Sequence, residues 1–89
     1  MLHLIFVLYS HSSVCPQLLE TIDGQPHNVK DYIEKWVSNY ASQRIDANYF
    51  VIVEYSHRGA KITYGRDDQR EYSTWVFTDL DLFPAYQIV

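Results

Sequence analysis

The chain of 89 residues predicts an α+β fold: one small domain with a mainly antiparallel sheet of about four strands and a long amphipathic helix on one face. Three patterns carry that expectation. Apolar residues recur at spacings of three and four between about residues 28 and 43. Runs rich in β-branched and aromatic residues alternate with period two over 49–55 and 60–64, and a further β-rich run covers 72–80, with turn-forming residues between them. Residues 2–9, LHLIFVLY, form a short, continuous apolar run of the kind that lies inside a sheet. A second core would not fit in this length, so residues 1–89 form one domain.

Composition narrows the class. An apolar fraction of 47% and an aromatic fraction of 16% oppose intrinsic disorder. A single cysteine rules out a disulfide framework, and 3 Gly with 3 Pro rule out collagen-like sequence. The formal charge of -4 works against attraction to phosphate backbones.

The elements follow in order. Residues 2–9 read as a buried central strand. The run lacks the basic flank and small-residue cleavage site of a secretory signal, and it is far shorter than the ~20 residues a spanning helix needs. A cytoplasmic, reducing compartment with no membrane association is therefore expected. Residues 12–24 support two readings. A short helix over about 13–23 would use Ser13 as a cap, place Pro16 in the tolerant first turn, align Val14, Leu18 and Ile22, and end at Gly24. A strand would use the alternation from Leu18 to Ile22. The helix is the preferred of the two.

The long helix over about 28–43 presents Val29, Tyr32, Ile33, Trp36, Val37, Tyr40 and Ala41 as one stripe. Asn28 can cap its first turn, and Asp31 stands near the positive end of the dipole. Over 49–55, Tyr49, Val51, Val53 and Tyr55 share one face, and Phe50, Ile52 and Glu54 share the other. Ser56-His57-Arg58-Gly59 reads as a hairpin turn. Residues 65–70, GRDDQR, form a charged turn, and 72–80, YSTWVFTDL, a further strand. The apolar tail over 83–89 must pack on the domain or on a neighbour.

Four constellations could carry chemistry. Cys15 would sit at a helix start if residues 13–23 were helical, where free N–H groups favour a thiolate, with His11 four residues upstream. The run FVLYSHSSVCP over 6–16 resembles the strand, loop, Cys-Pro and helix opening of glutaredoxin-like thiol proteins. Position 18 is Leu18, so the resemblance implies a monothiol variant with Cys15 as its catalytic thiol and His11 nearby. The Thr-Val-Pro turn and Gly-Gly pair of that family are absent, so no cofactor is expected. A lone cysteine otherwise packs as a small hydrophobe.

Metal binding is the second possibility, through His3, His11, Cys15 and His27. Their spacing matches no dense ligand motif, so no metal is expected. Carboxylate pairs are the third: Asp67 with Asp68, and Asp79 with Asp81. No phosphate loop or catalytic His/Ser arrangement accompanies them, and aspartates in such places guard a sheet edge. Nucleic-acid binding is the fourth. Arg58, Lys61, Arg66 and Arg70 gather over 58–70, and Tyr55, Tyr64 and Tyr72 could stack bases. The net charge makes this the lesser reading.

The chain's 8 tyrosines exceed what a core of this size readily satisfies, so some are expected on an aromatic sheet face that one helix leaves uncovered. The expectation is a non-catalytic protein-binding module, an accessory or inhibitory factor of phage or mobile-element type by analogy. It would act through that face or through the hairpin, with Tyr55, His57, Arg58, Lys61, Tyr64, Arg66 and Tyr72 as binding residues and a protein partner or a second copy as ligand.

Overall fold

The computed structural model describes residues 2–10, 15–67 and 70–83. Its elements are β1 (Leu2–Tyr9), β2 (Gln17–Asp23), α1 (Pro26–Asp46), β3 (Phe50–Ser56), β4 (Gly59–Gly65) and β5 (Tyr72–Thr78). The expected α+β class stands, with five strands rather than about four. Residues 17–23 form an edge strand, not part of a second helix, while residues 13 and 14 lie outside the described residues. The strand wins because β1 would otherwise expose a full row of backbone groups, and pairing with β2 satisfies them.

The strands form one antiparallel sheet in the order β2-β1-β5-β4-β3. β3, β4 and β5 are the expected meander. β1 joins β5 through pairs such as Val7 with Val76, and β2 folds back on β1 with a bulge between Ile5 and Phe6. α1 links the two outermost strands, β2 and β3.

α1 begins two residues earlier and ends three later than the spacing predicts. Gln25 occupies the cap with extended backbone, no side chain caps the helix, and Pro26 opens the first turn, where its missing N–H costs nothing. Asn28 therefore lies inside the helix, where its N–H reaches the Gln25 carbonyl at 3.0 Å. Gly24, at φ +145°, makes the turn from β2, and the buried His3 ring donates from Nε2 to its carbonyl at 3.1 Å. The C-terminus closes with Asn48 at φ 68°, the left-handed conformation that asparagine tolerates there.

The helix buries Val29, Ile33, Val37 and Tyr40 against Ile5, Ala60, Ile62, Tyr64 and Val76. Among the described residues Tyr40 and Tyr64 are buried, while Tyr9, Tyr32, Tyr49, Tyr55 and Tyr72 stay half-buried against this core rather than on the sheet face that the helix leaves uncovered, where the surplus was expected. Four of them, Tyr40, Tyr49, Tyr64 and Tyr72, contact one another near the helix C-terminus. Trp36 stacks on Tyr40 at 4.8 Å, Tyr64 meets Tyr49 edge-on at 5.2 Å, and Tyr64 stacks on Tyr72 at 5.5 Å. The Tyr40 hydroxyl shares a 2.8 Å hydrogen bond with the buried Thr74 hydroxyl, and the Arg44 guanidinium lies 3.7 Å from the Tyr40 ring centroid.

Burial, reinforced by the Tyr40 hydroxyl and opposed by Arg44, holds the Tyr64 phenol above the ordinary tyrosine range. Between the unfolded and folded values the native state binds the extra proton, so stability falls as pH rises. The contribution of Tyr64 to the unfolding free energy should be constant below about pH 9 and decline above about pH 10. Urea titrations at several alkaline pH values would show this, and Tyr64→Phe should reduce the decline but leave the part due to Tyr32, whose phenol burial and Glu20 also push up.

Candidate functional site

Because side chains alternate across a strand, the face of the sheet away from α1 can be read directly from the register. One cross-sheet row runs Leu8, Trp75, Lys61, Glu54, and the next runs Leu18, Phe6, Phe77, Gly59, Ser56. Leu2 and Leu4 extend the face on β1, and Ile52 and Phe50 extend it on β3. No described element covers it. Leu2 is 61% exposed, Leu18 58%, Ile52 51% and Leu4 40%, values that core side chains never show. Phe6 and Phe77 stack at 5.8 Å, which leaves each half-buried.

The charged groups on this face sit to one side. Glu54 and Lys61 are cross-strand partners, and the Lys61 ammonium lies 5.7 Å from the Trp75 ring centroid. A shallow depression of about 530 Å³ opens beside them, bordered by Leu8, Glu54, Lys61, Trp75 and Phe77. Its border combines an indole and a phenyl ring with the cross-strand charges of Glu54 and Lys61 at one margin.

The residues expected to bind do not share one surface. Lys61 alone lies on the open face. Tyr55, Tyr64 and Tyr72 point to the helix side, where Tyr64 is buried. His57 and Arg58 form the two-residue hairpin loop, with the His57 carbonyl accepting from the N–H groups of Leu82 and Phe83 and the Arg58 Nε 3.4 Å from Asp81. Arg66 stands at the other end of β4, donating to the Ala47 carbonyl at 2.8 Å and lying 4.2 Å from the Tyr49 ring centroid. At ~3.4 Å per residue, Arg58 and Arg66 are roughly 27 Å apart, so the basic cluster of the sequence is not a cluster in space. The tyrosines it would need for base stacking are core residues.

Cys15 is exposed and precedes a strand, so the helix start that would favour its thiolate is not there. His11 and Asp68 lie outside the described residues. Among the described residues, no three His, Cys, Asp or Glu side chains are grouped to hold a metal ion. No helix among them is long and apolar enough to cross a membrane.

The anchors Trp75 and Phe77, with Leu4, Phe6 and Leu8, were not among the expected binding residues. Their signal was present as alternation: in 72–78, Thr74, Val76 and Thr78 form one face and Ser73, Trp75 and Phe77 the other. Comparison with protein-family models, curated proteins and solved structures finds no match to this chain.

Proposed function

We propose that the chain is a non-catalytic protein-binding module whose partner docks on the open face of the sheet. One observation carries this reading: five strands present an apolar, aromatic face that no described element covers. Five strands at ~4.8 Å spacing and about seven residues at ~3.4 Å each give a footprint of roughly 570 Å². That area includes the polar residues of the face, among them Glu54, Lys61, Thr63 and Ser73, so its apolar part is smaller, on the scale of the ~300–600 Å² patches that are commonly functional. The whole footprint approaches the ~800 Å² per partner of a standard protein interface. Trp75 and Phe77 supply its anchors, and the Lys61–Glu54 pair supplies a polar margin.

The test is retention of a partner by the tagged chain, compared across surface variants. Leu4→Lys and Leu18→Lys change side chains that are already exposed, so the fold should lose no more than about 0.5 kcal/mol. Each should weaken the complex by roughly tenfold or more, the equivalent of ~1.4 kcal/mol. Lys35→Glu, on the solvated side of α1, should leave it unchanged. A complex that is indifferent to Leu4→Lys and Leu18→Lys would sink the proposal.

A further inference from the structure

The two edges of the sheet are unlike. β2 is guarded: a bulge interrupts its register with β1, Glu20 and Asp23 stand along it, and the Glu20 carboxylate accepts the N–H of Thr21 at 3.1 Å. β3 has none of these devices. Its register with β4 is unbroken from Phe50 with Gly65 to Ser56 with Gly59, it contains no proline, and Glu54 is its only charge.

Which β3 groups face outward follows from one hydrogen bond. The N–H of Thr78 donates to the Arg58 carbonyl at 2.9 Å, so the pair Arg58 and Thr78 is of the bonded type. Bonded positions alternate along an antiparallel ladder, which turns Ala60, Ile62 and Tyr64 toward β5 and Gly59, Lys61, Thr63 and Gly65 toward β3. On β3 the bonded residues are then Phe50, Ile52, Glu54 and Ser56. Val51 and Val53 direct their N–H and C=O groups away from the sheet, and no backbone group among the described residues meets them.

We infer that the β3 edge pairs with the β3 edge of a second copy, antiparallel about a two-fold axis at Ile52, giving one continuous ten-stranded sheet. The edge is complementary to itself in this register. Val51 of each copy meets Val53 of the other, so every outward donor and acceptor of the two valines is used, as an isologous contact requires. Ile52 meets Ile52, and Phe50 meets Glu54. The two Glu54 carboxylates end four residues apart along the strand, about 13 Å and beyond a Debye length of ~8 Å at physiological salt. A two-fold axis at Val53 would bring them to about half that separation. The contact involves the sheet edge and leaves the open face available, so it does not depend on the function proposed above. Ile52 is 51% exposed, Phe50 38% and Val53 37%, and this strip is much smaller than ~800 Å² per partner. The dimer is therefore a reversible one, with Kd between about 10 μM and 1 mM.

Sedimentation equilibrium of the full chain from about 1 μM to about 1 mM should show the mass rising toward twice the monomer. Over the same range, exchange of the Val51 and Val53 amides should slow by about twofold if Kd is near 1 mM and by roughly tenfold or more if it is near 10 μM, while the Ile52 and Glu54 amides stay protected throughout. Val53→Pro removes an outward N–H and no bond to β4, and should give a folded monomer. Ile52→Lys and Ile52→Glu should each be monomeric alone, and a 1:1 mixture of the two should associate. A wild type that stays monomeric across the range, including one that binds other proteins but not itself, would overturn the inference. So would an Ile52→Lys variant that still dimerises, because the two-fold axis would then lie elsewhere.

Discussion

Phe83→Ala should cost about 3–5 kcal/mol of folding free energy, the range for removing a fully buried phenyl ring. Phe83 is 1% exposed although it belongs to no strand or helix. Its ring lies 4.9 Å from that of Tyr55, and the Lys30 ammonium stands 5.7 Å from its centroid. It thereby fills the space between the start of α1 and the β3–β4 hairpin. The backbone holds it there, because the N–H groups of Leu82 and Phe83 both donate to the His57 carbonyl, at 2.7 and 3.1 Å. The exposed Arg58–Asp81 contact beside it contributes little, as surface ion pairs do. A domain of this length has a total stability of roughly 4–13 kcal/mol, so the loss is a large share of it. Urea denaturation should show a lower midpoint at constant slope, with Phe83→Leu recovering part of the difference. A change below about 1 kcal/mol would mean that the ring is not the plug described.

Gly59→Ala should destabilise by about 3 kcal/mol, the upper end of the overpacking range. A β-carbon at this position would collide with the Val76 carbonyl oxygen and the Phe77 backbone. A flexible side chain could rotate away, but a paired strand can yield only by separating, so the added methyl must push β4 off β5. Gly59 pairs with both Ser56 and Phe77, so the disturbance reaches the hairpin and the central strand together. Thermal unfolding of the variant, set beside Gly65→Ala, would isolate the effect. At Gly65 the nearest atoms are the Phe50 ring and the Glu71 side chain at 3.1–3.2 Å, which can move. Equal losses at the two glycines would contradict the backbone collision.

The helix was legible because a 3.6-residue stripe over 29–40 admits no strand reading. The hairpin was legible because two alternating runs flank a short polar turn. Residues 17–23 were not, since Leu18 and Ile22 fit both a four-residue and a two-residue spacing, and only the need of β1 for a neighbour decides between them. The open face of the sheet was half legible. Alternation sorted Phe50 and Ile52 from Val51 and Val53, but both sets are apolar, so period alone could not say which the helix covers. The tyrosines misled for a physical reason. A phenol is costly to bury without a partner, yet here rings stack on rings, Tyr40 finds Thr74, and Arg44 and Arg66 lie over the aromatic faces. Such mutual satisfaction depends on positions far apart in sequence.

The pairing of β1 with β5 has a consequence for biosynthesis. The Thr78 hydroxyl donates to the Leu4 carbonyl across 74 residues of sequence. At a translation rate of about 5–20 residues per second, β1 is synthesised roughly 4–15 s before the part of β5 that it pairs with. During that interval LHLIFVLY is an apolar strand whose only available neighbour is β2. Both pairings of β5, with β1 and with β4, can form only after the chain has been made through Thr78, so the centre of the sheet is the last part to be supplied.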